Sequence, residues 1–270
     1  MDSHKKALWF VLLVALSSIA LLPSHAQTKP KKTTTKSTGF KSIFNGKDLT
    51  NWEGDAKYWT VEDGVLTGTT DGTLKANSFI VWRGGTVKNF ELLVKVKITQ
   101  GGNSGLQYRS VPFPDAGPHV LTGYQCDIVT TKDEYDGMLY DERGRRILAQ
   151  SGTRVVIDPN NEKWIVGSVG AIKHFPAGEW HEYYVIVRGN HHQHFIDGHK
   201  TVEVFDHDPN GRRLEGLLGV QVHVGPAMKV QFKDWRLKDL PEAPLVAPEK
   251  TPIPPNSPKV PVQGAPQKKS

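Results

Sequence analysis

Residues 90–98 read FELLVKVKI, and the apolar positions Phe90, Leu92, Val94, Val96 and Ile98 alternate with Glu91, Lys95 and Lys97. A period of two puts the first set on one face of a strand and the second on the other. The segments 182–188 (EYYVIVR), 217–224 (LLGVQVHV) and 229–237 (KVQFKDWRL) are rich in β-branched and aromatic residues and predict further strands. Asp-Gly pairs in VEDGVL (61–66) and FIDGHK (195–200) separate apolar runs and predict tight hairpins. No stretch carries three turns of helical periodicity. Many short strands with regular turns over about 200 residues predict an all-β, antiparallel β-sandwich of jelly-roll type. Within the less regular stretch 131–180 we expect a strand pair around GMLYDERGRRILA and a loop at DPNNEKW.

The polar faces of three strands are unusual. In GLQYRS (105–110), Gln107 and Arg109 alternate with Leu106 and Tyr108. In GYQCDI (123–128), Gln125 and Asp127 alternate with Tyr124, Cys126 and Ile128, and in LLGVQVHV, Gln221 and His223 oppose the valines. A solvated sheet face favours Lys, Glu and Thr, whereas planar amides, a guanidinium, an imidazole and a carboxylate suit a ligand covered with hydroxyls. If these strands share a sheet, Gln107, Arg109, Gln125, Asp127, Gln221 and His223 line one carbohydrate-binding surface. Trp82 is the candidate for stacking on a sugar ring. In LYDERGRR (139–146), Asp141 and Glu142 are adjacent and face opposite ways, so only one can reach a ligand. Tyr140 and an Asp141–Arg143 pair are the expected wall of the site.

Composition narrows the function. The chain has 270 residues and a formal charge of +6, but residues 40–240 hold 24 basic and 25 acidic side chains, so the excess positive charge belongs to the flanks. A nucleic-acid surface needs that charge clustered on the folded domain. Residues 1–26, with Lys5 and Lys6 before an apolar run and SHA before Gln27, read as a cleaved secretory signal, which leaves no membrane span. Residues 27–39 read as a disordered basic linker. Residues 241–270 hold nine of the eighteen prolines and read as a disordered extended tail. Cys126 is the one cysteine and sits on the apolar strand face, so the domain must be stabilised by core burial rather than by disulfides. No phosphate-binding loop and no Gly-x-Ser-x-Gly elbow is present. His192 and His194 share a strand face, but with no third ligand evident they read as part of a plain strand.

The ordered set FKSIFNGKDLTNWEG, WTVEDGVLTG, FIVWRGG, NFELLVKVKI, GGNSGLQYRS, GYQCDI, PAGEWHEYYVIVRGN, IDGHK, GLLGVQVHVGP and VQFKDWRLKDL resembles the 3-keto-disaccharide hydrolase domain family over nearly all of 40–240. That resemblance implies a concanavalin A-like jelly roll and cleavage of glycosides whose C3 hydroxyl is oxidised to a ketone. A C3 ketone acidifies the C2 proton, so a base can expel the C1 substituent by elimination, and water adds afterwards. On this basis Asp127 and His223 are candidate bases, Arg109 the enolate stabiliser, and Gln125 and Gln221 hydroxyl ligands. Many members of the family carry Glu at the position of Gln125 and Gln at that of Asp127, while a subgroup reads GYQ-x-D followed by LYDE as this chain does, so the carboxylate is moved rather than missing. The pattern assigns no cofactor. A divalent metal at the ketone oxygen, on Asp127 or His223, is compatible with the pattern, although no spacing demands it. An upstream sugar oxidoreductase is the implied partner, and export places the protein in the periplasm or outside the cell. The rival readings are a non-catalytic carbohydrate-binding module of the same fold and a surface-interaction domain.

Overall fold

The alternation read at 90–98 is realised residue by residue: Phe90, Leu92, Val94, Val96 and Ile98 are buried, and the four positions between them are half-exposed. The structure is a computed structural model and describes residues 39–261. One sheet is built from β1 (Lys41–Ser42), β3 (Trp59–Glu62), β4 (Val65–Thr70), β6 (Phe90–Ile98), β11 (Thr153–Ile157), β12 (Lys163–Ser168), β13 (His181–Arg188), β14 (His191–Ile196), β15 (His199–Asp206) and β17 (Met228–Asp239). The other contains β2 (Trp52–Glu53), β5 (Ser78–Val87), β7 (Asn103–Pro112), β8 (Leu121–Val129), β9 (Leu139–Glu142), β10 (Arg146–Ala149) and β16 (Gly216–Val222). Strand order in the seven-stranded sheet is β10-β9-β8-β7-β16-β5-β2. Every pairing in the two sheets is antiparallel except β11 with β15. This is the expected β-sandwich, and the helical content among the described residues is two single 3-10 turns.

The hairpins close as their Asp-Gly pairs require. Asp63 and Gly64 have φ of 49° and 78°, and Asp197 and Gly198 have 48° and 74°. Two successive left-handed residues are the geometry whose twist matches the flanking strands. The core between the sheets is formed by the inward sets, among them Trp59, Phe90, Leu106, Tyr108, Tyr124, Cys126, Val220 and Phe232. Cys126 is fully buried, and burial pushes its thiol well above the ordinary range, as suits a packing residue.

His192 and His194 are also interior. The Tyr108 hydroxyl lies 3.1 Å from His192 Nδ1 and 2.9 Å from His194 Nε2. Burial depresses both imidazoles, the second to about 4, so they are neutral hydrogen-bonding partners at ordinary pH.

One expectation is corrected. Residues 241–261 do not hang free but lie along the domain. Val246 N donates to Asn190 Oδ1 at 2.8 Å, Ile165 N to Pro258 O at 2.8 Å, and Val260 N to Lys163 O at 2.9 Å, with the Val260 side chain buried. Proline lacks a donor but keeps its carbonyl, so a Pro-rich strap can still accept hydrogen bonds from the exposed edge of β12. The signal at 1–26 and nearly all of the linker at 27–39 lie outside the described residues.

Candidate active site

Strands β9, β8, β7 and β16 are consecutive neighbours, so the polar positions read from three separate segments do share a sheet. Tyr124, Cys126 and Ile128 face the core, which sends Gln125 and Asp127 to the opposite face. There a cavity of about 170 Å³ opens, lined by Asn77, Asn103, Gln125, Asp127, Val129, Tyr135, Met138, Tyr140, Glu142 and His223.

A chain of amides orders the floor. Ser110 Oγ donates to Gln107 Oε1 at 2.8 Å, Gln107 Nε2 to Gln125 Oε1 at 2.6 Å, and Gln125 Nε2 to Asp127 Oδ1 at 2.5 Å. Each amide oxygen accepts from behind and each amide nitrogen donates forward, so the whole chain points its donors at Asp127. Gly105 makes room for it. Gly105 pairs with Asp127 across the ladder, and a Cβ there would stand 2.3 Å from Gln125 Cδ. The Gln125 side chain therefore lies over the glycine, in the space a side chain would have filled. Gln221 is one residue beyond the Val220–Leu106 pair, which puts it across from Gly105. It is fully buried, its amide nitrogen and oxygen lack a well-formed hydrogen bond, and it approaches Glu142.

Two carboxyls share the cavity. Asp127 is 5% exposed and Glu142 7%. Burial drives Asp127 well above the usual carboxylate range; the Gln125 hydrogen bond opposes this, and the Glu142 and Asp136 charges add to it. Burial also raises Glu142, while the Asn77 hydrogen bond and the nearby His223 and Arg143 pull it back. Asn77 Nδ2 donates to Glu142 Oε1 at 3.2 Å, and Asn77 Oδ1 accepts from Val224 N at 3.0 Å. The Glu142 charge adds to the burial that favours the neutral form of Asp127. Burial favours the protonated form more strongly at Asp127 than at Glu142. His223 Nδ1 is hydrogen-bonded to the Val224 carbonyl, which can only accept. Nδ1 therefore donates, and Nε2 is the ring nitrogen left for a ligand.

Of the residues expected from sequence, Gln125, Asp127, Tyr140 and His223 line the cavity, and Gln107 and Gln221 lie on the same face beside them. Four do not belong to it. Arg109 sits at a bulge between Tyr108 and Val111 with φ of 48°, which breaks the alternation and turns its side chain inward. Its buried guanidinium donates to the carbonyls of Lys88 (2.8 Å), Gly189 (2.7 Å) and Arg213 (3.0 Å), fastening three loops. Trp82 is on the core face, and its indole covers Gly84, where a Cβ would meet Cζ2 at 2.2 Å. Asp141 faces inward and pairs with Arg145 at 2.9 Å, not with Arg143. Arg145 also holds Asp206 at 2.8 Å on the facing sheet. Arg143 packs over the Phe113 ring with its guanidinium carbon 5.6 Å from the centroid.

The cavity residues missed were the apolar Val129 and Met138 and the polar Asn77, Asn103, Tyr135 and Glu142. Glu142 was legible: it has the parity of Tyr140, so choosing Tyr140 for the site required Glu142 rather than Asp141. Asn77, Asn103 and Tyr135 come from strand ends and a loop, where no period applies. Among the described residues no group of three or more His, Cys, Asp or Glu converges on a point that would hold a metal ion.

Comparison with known proteins is decisive at this point. The profile of the 3-keto-alpha-glucoside-1,2-lyase-like domain matches residues 39–238. The chain belongs to that family. A 3-keto-disaccharide hydrolase of Bacteroides thetaiotaomicron is 36% identical over 247 residues, covering 75% of this chain and 79% of the relative. Among solved structures, a Parabacteroides distasonis protein classed as a glycosyl hydrolase superposes with a TM-score of 0.52 at 26% identity, covering 75% of this chain and 95% of that one. A second from the same organism gives 0.51 at 20% identity over 74% and 99%, and shares the fold. Membership of the 3-keto-alpha-glucoside-1,2-lyase-like family and the paired carboxyls agree on a glycoside hydrolase-like enzyme.

Proposed function

We propose that this protein cleaves 3-keto-glycosides, 3-keto-disaccharides by class, through elimination followed by hydration. The observation that carries the reading is the Asp127–Glu142 pair, two buried carboxyls that line one cavity and are both raised by burial. Glu142 takes the proton from C2, and the electron pair passes into an enolate whose oxygen, at C3, receives a hydrogen bond from protonated Asp127. A carboxylic acid kept neutral by an apolar site is an effective oxyanion donor. The enolate then forms the C1–C2 double bond as the C1–O bond breaks, and Glu142 returns its proton to the leaving oxygen. Water adds at C1 of the enone, with Glu142 as base and C2 regaining a proton. In this scheme Asp127 takes the role expected of Arg109, while His223 Nε2, Tyr140 and Asn103 hold sugar hydroxyls.

The apolar stretch and small-residue site at 1–26 support export, and among the described residues no helix is long and apolar enough to cross a membrane. The substrate requires an oxidoreductase that makes the C3 ketone. N-terminal sequencing of protein recovered from the native cell tests the export.

The full chain is to be incubated in deuterated water with a 3-keto-disaccharide and with its unoxidised parent, with and without chelator. Release of monosaccharide from the keto sugar alone, with deuterium at C2, is the expected result. Saturable binding without release from either would instead mark a carbohydrate-binding module.

A further inference from the structure

The catalytic cavity is too small for a disaccharide. Its 170 Å³ falls below the roughly 300 Å³ at which pockets for whole drug-sized ligands begin, so it accommodates one ring. Asn77 is its outer wall, and the same residue borders a second, more open groove of about 350 Å³. That groove runs between residues 55–58 and 73–78 on one side and 116–120 on the other, with Tyr58, Leu74, Lys75 and His119 on its walls.

Three observations make it suited to a second sugar. Asn77 is pinned at both ends, to Glu142 and to Val224 N, so the partition between the two spaces is fixed and Glu142 stands directly behind it. His119 presents a half-buried imidazole to the groove, with Nδ1 turned into the protein and the His119 carbonyl held by Phe79 N at 3.0 Å, so the outer edge of the ring is what a hydroxyl can meet. Tyr58 offers a half-buried aromatic ring packed against the core, with Lys57 Nζ 5.1 Å from its centroid, and the flexible lysine can swing aside to let the C–H face of a pyranose lie there.

We propose that this groove is the subsite for the leaving sugar, the neutral pyranose attached at C1 of the keto ring. The inference rests on the function proposed above, because the glycosidic oxygen must then lie over Asn77, where Glu142 can return its proton to it. The groove carries hydroxyl partners and an aromatic face, so it recognises a sugar and gives nothing to a small alkyl group.

The test uses the full chain and two substrates, a 3-keto-disaccharide and the methyl glycoside of the same keto sugar, together with amide NMR titration by the unoxidised disaccharide. Wild-type kcat/KM should favour the disaccharide. Tyr58→Ala and His119→Ala should each erase about threefold to tenfold of that preference, the worth of one aromatic face or one hydrogen bond. In the titration, amides of 73–78 and 116–120 should shift. Equal kcat/KM for the two substrates in wild type, or shifts confined to the cavity strands, overturns the subsite. Shifts at 73–78 and 116–120 without cleavage of either keto sugar would keep the groove as a sugar site and overturn the proposed reaction instead.

Discussion

Gly105→Ala tests the amide chain with one methyl group. Gly105 does not lie in the left-handed region, so alanine adds no backbone strain, and its effect is steric. The new Cβ would stand 2.3 Å from Gln125 Cδ, 2.4 Å from Cγ and 2.8 Å from Nε2, each well inside ordinary contact. All three atoms belong to the movable end of one side chain, so Gln125 yields by about 1 Å and the sheet keeps its register. Its hydrogen bonds to Gln107 and Asp127 are lost together. Overpacking costs about 1–3 kcal/mol and each of the two released hydrogen bonds about 1 kcal/mol, so we expect a loss of roughly 3–5 kcal/mol in urea denaturation.

The catalytic effect has a definite sign. The Gln125 hydrogen bond holds Asp127 down against burial, so its loss raises the Asp127 carboxyl further. Asp127 acts protonated, and therefore the alkaline limb of kcat should move to higher pH, while its plateau falls about 10–100-fold because the donor is no longer oriented. A shift of the acid limb instead would make Asp127 the base. Wild-type kcat and an unmoved profile in folded Gly105→Ala would refute the claim that the amide chain orients Asp127.

Three further outcomes follow from the geometry. Glu142→Gln keeps the volume and the Asn77 contact but removes the base, so kcat on the 3-keto substrate should fall about 10²–10⁴-fold with little change in Tm; full activity would move the base to His223. Arg109→Met should cost about 3–5 kcal/mol, because three buried carbonyls lose their donor, while the folded fraction keeps its kcat; a stable but inactive variant would return Arg109 to the chemistry. Asp136 is raised by burial to about 6 although Tyr183 Oη–H and Val129 N–H both donate to its Oδ1. A carboxyl whose folded pKa lies above its ordinary 3.8 stabilises the fold below that value, and the contribution is lost as pH rises through 6, at most about 3 kcal/mol here. Asp136→Asn keeps the accepting oxygen, so it should stabilise the protein at pH 7 and flatten denaturation midpoints between pH 4 and 7; an unchanged pH dependence would exclude this origin.

What the sequence by itself determined was whatever repeats with period two. The strands at 90–98, 123–128 and 217–224, their core faces, the Asp-Gly hairpins and the outward placement of Gln125, Asp127 and Tyr140 all follow from pleat geometry, which holds wherever a strand is regular. Glu142 follows from the same rule once Tyr140 is assigned. The tertiary structure decided the rest, where that rule lapses. A bulge reverses Arg109, and bulges are set by what the partner strand and neighbouring loops require. Asp141 is claimed by Arg145, whose guanidinium is itself placed by Asp206 across the sandwich, a contact between residues far apart in sequence. Asn77 and Asn103 enter the cavity from strand ends, and the Pro-rich strap finds its place only because β12 presents an open edge. The acid–base character of Asp127 and Glu142 is likewise tertiary, since it comes from desolvation and from neighbouring charges, and a one-dimensional pattern records neither.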